Sequence, residues 1–262
     1  MSVTQFSLGE KQDPSKTPIT IENVDYITLA YDMAAKYPNK TAILNMCSDF
    51  VPGGGLWKGA TAGEEELCRR SSLHQQLMYH AHEYPFRERK LIYSKNVTIL
   101  KAQDTYAYLK PTREVDVISI AALRVNRSML KSNGDAYLNT SDFIDMRERV
   151  DAILNVAKQN GVECLVLSAF GSGCFNNPPK QVAKIFRDRL SYFDFKHVAF
   201  GILDDRLRGK TTSNYQVYKE IFDLSATWYL YISHIFYVSP LHKQYLPIPP
   251  IKCMTHRVAT SA

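Results

Sequence analysis

Short apolar segments alternate with helix-like segments along most of this 262-residue chain, and this alternation limits the folds open to it. The strand candidates are short, largely apolar runs at residues 19–21, 41–47, 97–100, 115–122, 164–169 and 197–203. Helices fit between several of these strands. The pattern predicts an α/β domain in which helices form layers around a sheet.

Two helices have clear boundaries in the sequence. The first begins near Ser141 or Asp142, carries apolar residues at helical spacing, and ends at Asn160-Gly161, a typical left-handed cap. The second begins at Asn177, where the side chain is expected to cap the helix and the following prolines suit its first turn. A helix from Glu64 onward is also expected.

The chain is expected to contain one main domain between two extensions. Residues 1–18 lack periodicity and are expected to form a flexible lead-in, residues 19–223 form the domain, and residues 224–262 are an extension of unknown role. No charged residue occurs from Leu224 through His242. Serine, threonine and histidine interrupt this aromatic stretch, which therefore favours a packed strand or docked tail over a membrane span.

Composition narrows the environment and the partners. A formal net charge of +6 favours anionic partners such as nucleotides, nucleic acid or an acidic polymer. Five cysteines lie far apart with no CxxC pair, which predicts free thiols in a reducing compartment and argues against structural zinc. The first residues lack the apolar stretch of a secretory signal. We therefore expect an intracellular protein, cytoplasmic or nuclear.

A glycine triplet follows the strand candidate at residues 41–47. Gly53, Gly54 and Gly55 have no Cβ atoms, so a diphosphate can approach their backbone N–H groups without any lysine. An ordinary flexible turn is the alternative, and a lone triplet favours it. Glu64, Glu65 and Glu66 follow within the same short excursion, which places carboxylates beside this loop.

The order of these residues resembles the bacterial-type poly(ADP-ribose) glycohydrolases, a branch of the macrodomain superfamily. The similar segments are Ala-Ile-Leu-Asn-Met-Cys at 42–47, the glycine triplet, Glu-Glu-x-Leu-Cys-Arg-Arg-Ser at 64–71, and the loop at 167–179. The resemblance covers roughly residues 19–222. Gly63 stands where the family usually has glutamine, which affects whatever positioning that amide provides.

The second loop also has a physical interpretation. Gly171, Ser172 and Gly173 lie after a buried strand and before a helix, at a junction that suits phosphate binding. Phe175 is expected to pack either on a ribose or base of the ligand or beneath the loop as part of the core. Cys174 belongs to the same loop, and its side chain is expected to pack.

The resemblance implies a three-layer α/β/α macrodomain with a central mixed sheet. It also implies hydrolysis of ribose–ribose bonds from the chain end, releasing ADP-ribose, with Glu65 as general acid and Glu64 as an anchor for ribose hydroxyls. Asn45 is implied near the terminal ribose, and the two glycine loops around the diphosphate. The implied partners are poly(ADP-ribose) or ADP-ribosylated proteins, and neither a metal nor a cofactor is expected.

Three other functions stay open at this point. The first is a macrodomain that binds ADP-ribose with little or no turnover because Gly63 replaces glutamine, and the second is an enzyme that removes single ADP-ribose units from proteins. General nucleic-acid binding rests on the net charge and on Tyr106, Tyr108 and Tyr137, without a recognition motif or basic stripe. The sequence does not indicate an oligomeric state.

Overall fold

A computed structural model of the protein describes residues 17–86, 89–204 and 212–223. The predictions for the lead-in before Thr17, for the aromatic extension from residue 224 onward and for Cys253 lie outside these residues. Among the described residues, Cys47, Cys68, Cys164 and Cys174 are free thiols. No helix in the described part of the chain is long and apolar enough to cross a membrane.

One six-stranded mixed sheet forms the centre of the domain, in the order β1-β6-β5-β2-β4-β3. The strands are β1 (Ile19–Glu22), β2 (Thr41–Met46), β3 (Leu91–Lys101), β4 (Tyr108–Ile120), β5 (Cys164–Leu167) and β6 (His197–Gly201). Only the β3–β4 pairing at one edge is antiparallel. Each of the six strand candidates from the sequence therefore overlaps a strand of the structure.

Helices cover both faces of the sheet, as predicted for a three-layer macrodomain. They are α1 (Tyr26–Lys36), α2 (Gly63–Arg70), α3 (Leu73–Tyr79), α4 (Thr140–Gln159), α5 (Pro179–Leu190) and α6 (Asn214–Phe222). One hydrophobic cluster joins the sheet to α4, α5 and α6, and a second joins it to α1, α2 and α3. Because β2 is central and covered on both faces, its first five residues are all buried.

The edge hairpin is longer than the sequence predicted. β3 begins at Leu91 rather than Val97, and β4 begins at Tyr108 rather than Val115. The early half of β4 is mostly exposed and polar, including Lys110, Thr112 and Glu114, so it has no apolar run that would mark a strand.

The start of α5 differs from the prediction. Pro178, not Asn177, occupies the N-cap, and no side chain caps this helix. The buried Asn177 side chain instead donates to the carbonyls of Leu123 at 2.7 Å and Gly171 at 3.1 Å, and accepts from the Tyr137 hydroxyl at 2.8 Å. Asn177 therefore fixes the loop that precedes the helix.

Two loops meet at one edge of the sheet because β2 and β5 are parallel neighbours. We call residues 48–62, between β2 and α2, the first loop, and residues 168–178, between β5 and α5, the second loop. The carboxyl ends of adjacent parallel strands, where a crevice forms between the loops, are a common location for ligand sites.

Candidate active site

A cavity of about 620 Å³ lies between the two loops. This volume lies within the range of small-molecule sites, which is about 300–1,000 Å³. The predicted site residues that line the cavity are Gly54, Gly55, Glu64, Glu65, Gly171, Gly173, Cys174 and Phe175. Met46, Lys58, Gly63, Arg124, Ile202 and Asn214 also contribute to its wall.

Glu64 ties the start of α2 to the first loop. Its side chain is almost fully buried, and its two carboxylate oxygens accept from the Ser48 amide at 2.6 Å and the Gly53 amide at 3.1 Å. Burial raises the pKa of Glu64 to about 7, although both amides and a side-chain hydrogen bond from Asn45 favour the charged form. Because both oxygens are held by the backbone, Glu64 is fixed in orientation.

Glu65 has a different set of contacts. It is also buried, but only its Oε1 is held, by the Gly55 amide at 2.7 Å. Its Oε2 has no hydrogen-bond partner among the residues that the structure describes. Since Glu65 lines the cavity, this oxygen is the one available to exchange a proton with a bound molecule.

The amides of the glycine triplet are used within the protein. Gly53 and Gly55 donate to the two glutamates, and the Gly54 amide donates to the Val51 carbonyl at 3.2 Å. The prediction that these three amides would be bare is therefore wrong for this structure. The triplet positions carboxylates instead, because the acidic residues that begin α2 lie within its reach.

Gly54 must be glycine for this arrangement to form. Its φ of +56° lies in the left-handed region, and a Cβ built there would lie 2.6 Å from Glu65 Oε1 and 3.1 Å from Glu64 Oε2. The absent side chain lets both carboxylates approach the loop backbone.

The second loop presents bare amides. Among the described residues, the N–H groups of Gly171, Gly173, Cys174 and Phe175 have no hydrogen-bond acceptor, whereas Ser172 donates to the Ala169 carbonyl at 3.0 Å. Gly173, Cys174 and Phe175 are consecutive and line the cavity. Consecutive free amides are suited to binding an anion, the role that the sequence predicts for this loop.

Phe175 lies at the cavity wall with the Arg124 guanidinium 4.2 Å from its ring centroid. It is half-buried and packs partly against the core, which is one of the two roles expected from the sequence. Arg124 also makes a two-pronged ion pair with Asp49 of the first loop. Arg124 therefore bridges the two loops, since it pairs with Asp49 in the first loop and stacks on Phe175 in the second.

Arg124 and Asp49 were missed in the sequence. Each follows the carboxyl end of a strand, β4 and β2, and these two strands are parallel neighbours. Parallel pairing of these strands brings the two residues together, and it was the signal that could have identified them. Asn214, at the start of α6, was also missed, and its amide contacts the Ser172 carbonyl at 3.5 Å.

Three predicted site residues lie differently from expectation. Asn45 is fully buried and does not line the cavity; it donates to Ser119 Oγ at 3.0 Å, and its Oδ1 has no partner in the described ranges. Among the described residues, Cys174 is exposed at the cavity rather than packed as expected. The Ser172 hydroxyl is turned to the Phe170 carbonyl.

The space beside Gly63, where the family usually has glutamine, is occupied. A Cβ at this position would lie 3.0 Å from Met46 Cε and 3.2 Å from the Tyr26 hydroxyl oxygen. That hydroxyl donates to the Gly63 carbonyl at 2.8 Å. Tyr26 and Met46 therefore fill this position and support the first turn of α2.

The histidines near the site make contacts with other residues or are exposed, and most thiols there are buried. His74 packs edge-on against Trp57, His80 contacts Glu83 at 3.1 Å, and His82 is exposed. Burial raises the pKa of Cys68 to about 12. A thiol in that state is a poor nucleophile. Among the described residues, no group of three or more His, Cys, Asp or Glu is arranged to hold a metal ion.

The tyrosines that suggested nucleic-acid binding are mostly committed to internal contacts. Tyr137 is buried and bonded to Asn177, and the Tyr106 hydroxyl donates to Glu66 at 2.9 Å. Only Tyr108 is largely exposed. They do not form a common stacking surface.

A mixed sheet between two helical layers, with an acidic pair and an amide-lined loop around one cavity, defines a macrodomain-class protein. Comparison with known proteins agrees. The model of the microbial-type PARG catalytic domain matches residues 3–102. A search of curated proteins found no match.

Solved structures extend the likeness over most of the chain. The poly(ADP-ribose) glycohydrolase of Thermomonospora curvata is 27% identical with a TM-score of 0.68, and the match covers 82% of this chain and 80% of that one. The Deinococcus radiodurans enzyme in complex with ADP-ribose is 27% identical with a TM-score of 0.66, covering 79% and 85%. The family model and these structures support the resemblance to the bacterial-type poly(ADP-ribose) glycohydrolases that the motifs predicted.

Proposed function

We propose that this chain hydrolyses ribose–ribose O-glycosidic bonds in poly(ADP-ribose) and releases ADP-ribose from the chain end. The observation that carries the proposal is one cavity that contains both a carboxyl group with a free oxygen, Glu65, and a row of bare amides in the second loop. The first suits proton transfer and the second suits a diphosphate. The related structures include one bound to the inhibitor ADP-HPD and one bound to ADP-ribose.

In this proposal, different residues bind the substrate and transfer the proton. The amides of Gly173, Cys174 and Phe175 bind the diphosphate, and Phe175 packs against a ribose. Glu65 in its acid form gives its proton to the glycosidic oxygen as the bond from that oxygen to the anomeric carbon breaks. The resulting Glu65 carboxylate takes a proton from water, whose oxygen bonds to the oxocarbenium-like carbon.

Glu64 has a supporting role in this proposal. Its two backbone bonds fix the first turn of α2, and the raised pKa of its carboxyl allows a neutral form near pH 7 that places less negative charge beside Glu65. Asn45 lies behind this pair and contributes to Glu64 rather than to the cavity wall. An intracellular location and a polymeric or protein-linked ADP-ribose partner are part of the same proposal.

The test is Glu65→Gln, assayed by release of ADP-ribose from labelled poly(ADP-ribose) and by calorimetric binding of ADP-ribose. We expect turnover to fall roughly a thousandfold, within the range for loss of a general acid, while binding is kept. The matched control is Glu66→Gln, whose carboxylate lies in the same helical turn but pairs with Arg69 at 2.7 Å. Near-wild-type turnover by Glu65→Gln contradicts the assignment, and binding without release by wild type indicates a reader domain.

A further inference from the structure

One large aromatic side chain beside the cavity is almost entirely exposed. Trp57, in the short 3-10 helix Leu56–Lys58 of the first loop, is 84% exposed, more than any other exposed large apolar residue that the structure describes. A single exposed apolar side chain is common on protein surfaces, so the location of Trp57 matters more than its exposure. Its position beside the candidate active site makes a ligand the natural partner.

The Trp57 ring is held in place although it is exposed. It lies edge-on against His74, with the ring centroids 5.6 Å apart and an interplanar angle of 83°. The backbone below it is fixed by hydrogen bonds from Leu56 to Gly53 and from Lys58 to Gly55, at 3.1 and 2.9 Å. An aromatic face held this way loses little freedom when a base stacks on it.

Arg69 adds further support to the same short helix. Its guanidinium donates to the Leu56 carbonyl at 3.4 Å and to the Ala60 carbonyl, and it pairs with Glu66 at 2.7 Å. These contacts come from α2, the helix that carries Glu65. The Trp57 platform and the proposed acid therefore share one rigid frame.

The first loop, which carries Trp57, is the side of the cavity that suits the leaving group. The Gly55 amide holds Glu65, and Lys58, three residues further on, lines the cavity wall. The bare amides that suit the diphosphate of the terminal unit belong to the other wall, in the second loop. Lys58 forms no ion pair within the described ranges, so its charge is available to a second anionic group.

We propose that Trp57 and Lys58 form a subsite for the penultimate ADP-ribose unit, the part of the polymer that leaves. Trp57 stacks on its adenine, and Lys58 contacts its diphosphate, because an aromatic face beside a cation suits a nucleotide. This inference rests on the proposed function. A subsite of this kind makes the chain selective for polymer over a single ADP-ribose unit. Phe50, the other exposed aromatic of the loop, instead packs against Arg124 on the second-loop side.

The experiment compares two substrates in wild type, Trp57→Ala, Trp57→Phe and the control Tyr79→Ala. One substrate is an ADP-ribose dimer, whose leaving group is a complete ADP-ribose unit. The other is ADP-ribose with a small phenolic leaving group on its terminal anomeric carbon. Tyr79 is a matched control because it is also an exposed aromatic, at 74%, but lies in α3, outside the two loops that border the cavity.

We expect Trp57→Ala to lower kcat/KM for the dimer about tenfold, which is within the effect of losing one stacked base. The change for the phenolic substrate should stay within about twofold, since that leaving group does not reach the platform. Trp57→Phe should restore most of the loss, and Tyr79→Ala should match wild type on both substrates. An equal fall on both substrates means that Trp57 only supports the loop, and no fall on the dimer removes the subsite.

A binding measurement separates this inference from the proposed function. If wild type cleaves neither substrate, the proposed function fails, and the subsite is tested by calorimetry with the dimer and with ADP-ribose. Tighter binding of the dimer that disappears in Trp57→Ala supports the subsite. Equal affinity for the dimer and ADP-ribose in wild type overturns it.

Discussion

The first loop carries Gly53, Gly54 and Gly55, the second carries Gly171 and Gly173, and each connects a parallel strand to a helix at the same cavity. In the first loop, the three amides of the glycine triplet at 53–55 donate to acceptors inside the protein, two of them to Glu64 and Glu65. In the second loop, both glycine amides lack an acceptor among the described residues. Glycine-containing loops therefore serve two purposes here. In the first loop, Gly53 and Gly55 hold the carboxylates of Glu64 and Glu65, an arrangement that we call the carboxylate clamp, and the second loop offers an anion site.

The difference comes from the first turn of the helix that each loop enters. Helix α2 has Glu64, Glu65 and Glu66 in its first turn, whereas α5 follows Pro178 and has no acidic residue in its first turn. A carboxylate at a helix N-terminus competes with any external anion for the preceding amides. A glycine-rich loop before acidic residues is thus expected to be satisfied internally, and one before Pro-Pro is expected to stay free.

Gly54→Ala is expected to have the largest effect and tests the clamp directly. A Cβ at this position lies 2.6 Å from Glu65 Oε1, so the carboxylate must leave its place against the loop. Turnover should fall roughly a thousandfold, as for loss of the general acid, while ADP-ribose binding changes by less than about fivefold. Single-turnover release from labelled polymer and calorimetry measure the two quantities.

Gly59→Ala is the matched control for this change. Gly59 lies in the same loop with a φ of +76°, but a Cβ there contacts nothing within 4 Å. Both variants therefore carry left-handed backbone strain of about 1–2 kcal/mol, and only Gly54→Ala adds a clash with Glu65. A similar loss of turnover in both variants would show that strain in the loop, not displacement of the carboxylate, is responsible.

The buried carboxyl of Glu64 gives the clamp a pH dependence. Its folded pKa is raised from the ordinary value of 4.5 to about 7, so the folded state binds this proton more tightly than the unfolded state. The stabilisation is complete below pH 4.5 and is lost as pH rises through 7. At about 1.4 kcal/mol for each pKa unit, it amounts to about 3 kcal/mol.

Glu64→Gln tests this linkage through the pH slope of stability rather than its absolute value. The variant also loses a backbone hydrogen bond, so its free energy of unfolding should be lower at every pH. Between pH 5 and pH 8, wild type should lose about 2.5 kcal/mol more than the variant, measured by urea unfolding. Parallel pH profiles for the two proteins would show that burial of Glu64 does not set the slope.

The sequence predicted the parts of the fold whose signals are local. β2 and β5 were apparent because buried parallel strands are continuous apolar runs, and α4 because its apolar spacing and the Gly161 cap both mark it. The early part of β4 was missed because it is exposed at the edge of the sheet and polar. Asn177 was expected to cap α5, but its side chain bonds to Leu123 and Gly171, contacts that depend on tertiary structure.

The site was predictable in its residues but not in its hydrogen bonds. The motifs identified both loops and both glutamates, since their order along the chain is distinctive. Which amides stay bare depends on acceptors brought close by folding, and the first loop was therefore misassigned. Arg124 and Asp49 were within reach of sequence reasoning only through the parallel pairing of β2 and β4.

The smallest expected effect concerns the second loop and compares Gly171→Ala with Gly173→Ala. Gly171 has a φ of +69°, and a Cβ there lies 2.4 Å from Asn177 Nδ2 and 2.6 Å from Ala122 Cβ. The loop must shift away from buried Asn177, so ADP-ribose affinity should fall about tenfold, or about 1.4 kcal/mol by calorimetry. A Cβ on Gly173 contacts nothing within 4 Å, so Gly173→Ala should bind like wild type. If both variants bind like wild type, the bare amides do not hold the diphosphate, and the contrast between the two loops loses its functional meaning.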